Sequence, residues 1–209
     1  MTRCSIIIPT RDRPDILRRA VTSALAALPD GGEIIVVDDA SAVSPGEMLA
    51  DFGSECIRLE RHSVAMAGGG SPARNTGAKV AKGPVLFFLD DDDEMMPDYP
   101  SRILNGPASQ ADFGFCARHF VFADKEDRIE TRSLTDGPIH TSTPYAKRTF
   151  PFSAGFWITR AAYETAGALA TTLQTNSDTE YCIRLYGSGL QGWYSDTPGV
   201  VIHEPQSSS

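Results

Sequence analysis

Four consecutive carboxylates, Asp90, Asp91, Asp92 and Asp93, stand directly after the apolar run Val85, Leu86, Phe87, Phe88 and Leu89. Unit charges about 4 Å apart repel by ~1 kcal/mol in water and by ~4 kcal/mol at an effective dielectric near 20. So dense a run favours a partner cation, and hard divalent ions such as Mg2+ or Mn2+ take oxygen ligands. The apolar run reads as a buried strand over 85–89, set off by Gly83 and Pro84. The acids therefore begin where a core strand surfaces, and strand ends of α/β sheets are where ligands bind. Residue types alone leave two readings open: a metal site and a solvated acidic turn. An EF-hand loop fits poorly, because Met95 stands where that loop needs glycine.

The flanking sequence supplies further strand ends. Residues 4–8 (C-S-I-I-I) form a strand closed by Pro9. Over 14–28, Ile16, Leu17, Ala20, Val21, Ala24, Leu25 and Leu28 recur at three- and four-residue spacing, which makes one apolar helix face. Pro14 suits its first turn. Residues 33–37 (E-I-I-V-V) form a second buried strand, ended by Asp38 and Asp39. A short helix near 46–52 and a strand over 57–61 follow. Gly68, Gly69 and Gly70 make a permissive loop, Ser71 can cap, and Pro72 opens a helix to about Lys82. Such alternation predicts a largely parallel sheet with helices on both faces. The ends after residues 8, 37 and 89 then share one edge and assemble a polar crevice.

The second half is less regular. It offers an aromatic-rich strand over 113–122, a loop or irregular hairpin over 124–149 and an apolar run over 152–158. Helices over 161–166 and from Ser177, a short strand over 200–202 and a frayed tail over 205–209 complete it.

The chain has 209 residues, 41% hydrophobic and 22% charged, enough for one substantial core or two small lobes. A net charge of −8 opposes nonspecific nucleic-acid binding, and a phosphate ligand would need a bridging cation. No apolar run approaches the ~20 residues of a membrane helix, and the N-terminus has no signal-peptide pattern, so a cytoplasmic protein without a transmembrane segment is expected. Cys4, Cys56, Cys116 and Cys182 are scattered without a CxxC pair, which reads as reduced, mostly buried thiols.

Four segments in order, S-I-I-I-P-T-R-D-R, E-I-I-V-V-D-D-A-S, S-P-A-R-N-T-G and F-F-L-D-D-D-D, resemble family 2 glycosyltransferases. The resemblance covers most of residues 4–204. It implies a single Rossmann-like α/β domain of GT-A type, with a mostly parallel central sheet flanked by helices. Residues 1–95 would form the nucleotide-sugar half and 96–204 the acceptor half. The implied activity is inverting, metal-dependent transfer of a sugar from a nucleotide-diphosphate sugar, with UDP expected, to an unidentified acceptor hydroxyl.

By the same resemblance, Pro9, Thr10 and Arg13 sit beside the nucleotide, Asp39 contacts the base, and Arg74 lies near the donor. A carboxylate suits the imide N–H of uracil, and a guanidinium suits a phosphate or the acidic motif. The motif Asp-x-Asp aligns with Asp90 and Asp92. Asp92 would bind Mn2+ or Mg2+ directly, and Asp90 would hold the ribose or a metal-bound water. Along a strand alternate residues share a face, so Asp91, though grouped with the donor-binding residues, would point away. Asp93 is an extra acid.

The implied general base is Asp178, in N-S-D-T-E-Y-C-I-R-L, at a helix start. Ser177 departs from the family's glutamate, and Ser177 with Glu180 reads as a capping box. His203, after the last strand, would be a further metal ligand. Trp157 and Trp193 read as core residues rather than sugar platforms. Two alternatives remain: a GT-A-like nucleotidyltransferase, whose glycine-rich basic signature P-T-R-D-R-P does not match, and a non-catalytic nucleotide-sugar-binding protein, which Ser177 favours.

Overall fold

The computed structural model describes residues 2–140, 142–153, 155–173 and 175–203. The strands are β1 (Ser5–Thr10), β2 (Glu33–Asp38), β3 (Ile57–Arg61), β4 (Val85–Phe88), β5 (Asp93–Met95), β6 (Phe113–Val121), β7 (Arg128–Glu130), β8 (Gly137–Ile139), β9 (Trp157–Thr159) and β10 (Gly192–His203). The helices are α1 (Pro14–Ala27), α2 (Gly46–Ala50), α3 (Ser71–Val80), α4 (Tyr99–Asn105), α5 (Tyr145–Arg148), α6 (Arg160–Ala166) and α7 (Ser177–Gly187).

All ten strands join one sheet. Its main path runs β3-β2-β1-β4-β9-β6-β10-β5, with β7 added to β6 and β8 to β10. The first four are parallel neighbours, as βαβ crossovers require, and β6 is parallel to β10. β9 runs antiparallel between β4 and β6 and stitches the two halves of the chain together.

The buried strands alternate between two cores, the period-2 consequence of a sheet covered on both faces. Ile6, Ile8, Ile34, Val36 and Phe87 pack with Leu17, Ala20, Val21 and Ala24 of α1 and with Tyr99 and Ile103 of α4. Ile7, Ile35, Val37, Leu86 and Phe88 pack on the opposite face with Ala73 and Ala78 of α3 and with Phe150, Phe152, Phe156, Tyr181 and Leu185. Full burial of each large side chain contributes ~1.5–3 kcal/mol. Helix α3 lies tight on the sheet: a Cβ at Gly77 would overlap Ile7 Cγ2 and sit 3.2 Å from Val37 Cγ2. Trp157 is buried in the α1-side core, and Trp193 packs against it half-buried.

Three sequence expectations change. The acid run does not continue a strand. β4 stops at Phe88, the Asp93 N–H donates to the Asp90 carbonyl at 3.2 Å, and β5 starts at Asp93. β5 exists because β10 supplies an antiparallel partner, with Ile202 opposite Asp93 and Val201 opposite Glu94. β10 is accordingly longer than the short strand expected over 200–202, with a register shift between Ser195 and Val200. Within the stretch expected as a loop or hairpin, β7 does return on β6 as an antiparallel hairpin, but β8 is held by long-range pairing with β10 that local sequence does not encode, and α5 adds a helical turn. The expected tail over 205–209 lies outside the described residues. Cys4, Cys116 and Cys182 are buried, and Cys56 is exposed.

Candidate functional site

The parallel ends of β1, β2 and β4 open onto a cleft of about 600 Å3. Pro9, Thr10, Arg13, Asp39, Met66, Gly68, Gly69, Gly70, Arg74, Asp90, Asp91 and Asp92 line it. Every donor-side residue expected from the sequence is thus brought together on one edge. Met66, which had no recognisable signal, joins them.

Because the acids form a turn, their side chains leave in different directions rather than alternating. Asp90 accepts from Arg74 Nη2. The same guanidinium stands 5.0 Å over the Phe152 ring, and Gly70 leaves it room, since a Cβ there would lie 2.5 Å from Arg74 Nη1. Asp91 does not point away. It is buried and accepts from Thr10 Oγ1 at 2.7 Å and Arg13 Nη1 at 3.2 Å. Burial pushes its carboxyl up, opposed by the Thr10 hydrogen bond and the Arg13 charge. Asp92 pairs with Arg13 Nη1 at 3.0 Å, while its carbonyl accepts from Arg19 Nη2 at 2.7 Å. Arg19 comes from α1, so that helix also anchors the turn.

Asp93 is only 4% exposed. Its carboxyl is pushed up to about 9, chiefly by burial and then by the charges of Asp90 and Asp92, against the pull of Arg118 and Arg19. Asp90, Asp92 and Asp93 each offer a carboxylate oxygen, and the three lie within 4.8 Å of one another. The expected Asp90 and Asp92 pair is therefore present, joined by Asp93. An all-oxygen donor set fits a hard divalent cation.

His203 ends β10 on the same face as Val201, the partner of Glu94. Its Nε2 lies 2.6 Å from Glu94 Oε1, outside the three-carboxylate set.

Asp39 is buried at the end of β2. Its Oδ1 receives His62 Nδ1 at 2.7 Å and the Met66 N–H at 3.1 Å. Neighbouring Asp38 is fully buried and serves structure, binding the Ser41 N–H at 2.9 Å and Arg61 Nε at 2.9 Å.

Asp178 lies half-buried in the first turn of α7 and accepts the Thr179 N–H at 2.8 Å. It is not among the residues lining the cleft. The capping box does not form. Asn176 is the N-cap in the left-handed region, φ 60°, which asparagine tolerates, so Ser177 already lies inside the helix. Glu180 instead holds Arg184 through 2.5 and 2.9 Å contacts.

The segment leading into α7 is fastened to the cleft rim. Asn75 donates through Nδ2 to the Leu169 carbonyl, and its Oδ1 accepts the Leu169 N–H, both at 2.9 Å. At Gly68, φ 105°, a Cβ would overlap the Thr171 carbonyl. No helix among the described residues is long and apolar enough to cross a membrane.

The sequence matches the family model for glycosyl transferase family 2 over residues 5–167. It is 30% identical over 161 residues to the succinoglycan biosynthesis protein ExoW of Rhizobium meliloti, covering 69% of this chain and 49% of that protein. It is 31% identical over 125 residues to ExoU of the same organism, covering 59% and 34%. The chain thus spans about half the length, or less, of these curated relatives. Among solved structures it resembles S. aureus TarS 1–349 in complex with UDP-GlcNAc, with TM-score 0.80, 16% identity, and coverage of 99% of this chain and 60% of that one. The same TarS fragment in complex with UDP also gives a TM-score of 0.80. With its family motifs spread along a GT-A sheet and gathered at one cleft, this chain belongs to glycosyltransferase family 2.

Proposed function

We propose that this domain binds a nucleotide-diphosphate sugar, with UDP as the nucleotide, and transfers the sugar to an acceptor hydroxyl with inversion, assisted by Mn2+ or Mg2+. The observation that carries the reading is the convergence on one cleft of Asp39, Arg13, Arg74 and an acid turn whose Asp90, Asp92 and Asp93 oxygens lie within 4.8 Å. Residues 1–95 supply the donor side and 96–204 the acceptor side. Family membership and the UDP-bound TarS structures support the choice of donor class.

In this reading Asp39 accepts the imide N–H of uracil, and Pro9, Thr10 and Arg13 flank the nucleotide. Asp92 and Asp90 would hold the cation, with Asp93 adding a third oxygen, and His203 stands behind the turn through Glu94. A cation held there would supply Lewis-acid stabilisation for the diphosphate leaving group. Arg74 fixes Asp90, and Asp91 fastens the turn to Thr10 and Arg13. Asp178 takes the proton from the acceptor hydroxyl. The acceptor oxygen bonds to the anomeric carbon as the bond to the diphosphate oxygen breaks, and the nucleoside diphosphate leaves.

The decisive experiment offers a panel of UDP-sugars with and without Mn2+ and scores UDP release. Release that needs the metal and falls ~10²–10⁴-fold in Asp178→Asn is expected. A second reading, non-catalytic binding of a nucleotide sugar, is favoured by Ser177 and by the position of Asp178 outside the cleft lining. UDP binding with no sugar released from any donor would establish that reading instead.

A further inference from the structure

His62 is a half-buried histidine outside the four family-like segments, and both its ring nitrogens are engaged. Nδ1 lies 2.7 Å from Asp39 Oδ1, and Nε2 lies 2.8 Å from Thr76 Oγ1. Its side chain is 12% exposed and that of Asp39 10%. A carboxylate only accepts, so Nδ1 carries a hydrogen. In the neutral ring Nε2 then accepts, and the Thr76 hydroxyl donates to it.

Three elements build this relay. Asp39 follows β2. His62 follows β3, and its N–H continues the ladder by donating to the Asp38 carbonyl at 2.9 Å. Thr76 rides on α3, which Gly77 seats directly on Ile7 and Val37. The Met66 N–H adds a second donor to Asp39 Oδ1 at 3.1 Å and reaches Oδ2 only at 3.4 Å. Asp39 thus has one oxygen saturated by the protein and one whose acceptor capacity is largely unspent, at a position lining the cleft.

We infer that His62 is a positioning residue for nucleobase selection. The Thr76 and His62 relay ties down Asp39 Oδ1 and presents Oδ2 as a pre-oriented acceptor for a base that carries a ring N–H. Such a site favours a uracil nucleotide over a cytosine one. Uracil offers an N–H at ring position 3, whereas cytosine has an acceptor there and would face the carboxylate with repulsion. This inference rests on the proposal that Asp39 contacts the base.

The test measures UDP and CDP binding by calorimetry in Mn2+ for wild type, Asp39→Asn, His62→Ala, His62→Asn and the double variant Asp39→Asn/His62→Ala. In His62→Ala, UDP affinity falls ~10-fold, as expected for losing a hydrogen bond to a charged group, while CDP affinity stays within ~2-fold. His62→Asn, whose amide N–H can stand in for Nδ1, recovers most of the UDP preference. The alanine change costs less than ~2-fold more in the Asp39→Asn background, because the relay then has no carboxylate to orient. A merely structural histidine would weaken UDP and CDP alike, and that result overturns the inference. If Asp39→Asn weakens UDP but His62→Ala does not, the base contact stands and the relay falls. If Asp39→Asn leaves the UDP preference intact, both fall. Should His62→Ala fail to fold, Thr76→Val, which removes only the outer hydroxyl, must lower the UDP preference in its place.

Discussion

The Asp93 carboxyl makes a sharp prediction about stability against pH. Asp93 is 4% exposed, and burial with the charges of Asp90 and Asp92 pushes its pKa up to about 9. In the unfolded chain it titrates near ~3.9. The folded protein therefore holds a proton that the unfolded chain releases. The stabilisation this gives is complete below about pH 4 and is lost as pH rises through about 9. Each pH unit inside that window costs ~1.4 kcal/mol, so stability should fall by ~2.7 kcal/mol between pH 6 and pH 8 on account of this group alone. Asp93→Asn keeps the shape without the titration. Urea unfolding at pH 6 and pH 8, in EDTA so that no cation holds the turn, should give a steeper decline for wild type than for the variant. All other groups are common to both chains and cancel in the comparison. Equal declines, within ~0.5 kcal/mol, would show that water or the nearby arginines keep Asp93 ionised, and the burial argument would fail.

Three further outcomes are expected. Arg74→Ala strips Asp90 of its partner and removes the cation from Phe152; with side chains 12% and 26% exposed, the loss should lie near the lower end of the ~3–5 kcal/mol seen for buried pairs, and a loss below ~0.5 kcal/mol in urea would refute it. Gly77→Ala forces a Cβ into Ile7 Cγ2 and should cost ~1–3 kcal/mol, read as a lowered melting temperature, unless α3 can lift from the sheet freely. Mn2+ at 100 times its dissociation constant should stabilise wild type by ~2.7 kcal/mol in a thermal melt, and Asp92→Ala should abolish the shift; an equal shift in the variant would place the ion elsewhere.

What could be read in the sequence, and what could not, follows from the range of the interactions. β1, β2 and β4 announce themselves because burial on both faces demands unbroken apolar runs, and their parallel order fixes which ends meet. That logic alone sets Thr10, Asp39 and the acid run on one edge, and the family resemblance adds Arg74 from α3. The acid run misled in one respect. Treating it as strand made Asp91 face away, whereas β5 forms only through pairing with β10, more than a hundred residues later. That pairing ends the strand, bends the run into a turn, and turns Asp91 onto Thr10.

The capping box failed for a more local reason. Asn176 accepts the left-handed conformation, so the helix gains one residue and Glu180 is left to Arg184. His62 shows the same limit from the other side. A lone histidine after a short strand carries no pattern. Its meaning arises only when β2, β3 and α3 bring a carboxylate and a hydroxyl to its two nitrogens. Asn75 is similar, since its partner Leu169 lies across the cleft rim and not along its own helix. In this fold, groups expected to meet the ligand project from strand ends and can be counted from the sequence. The groups that aim them sit on neighbouring elements at unrelated spacing. Aim, more than inventory, separates a site that selects its nucleotide from one that only attracts it. For this chain, His62 is therefore a better place to look for specificity than a fifth carboxylate would be.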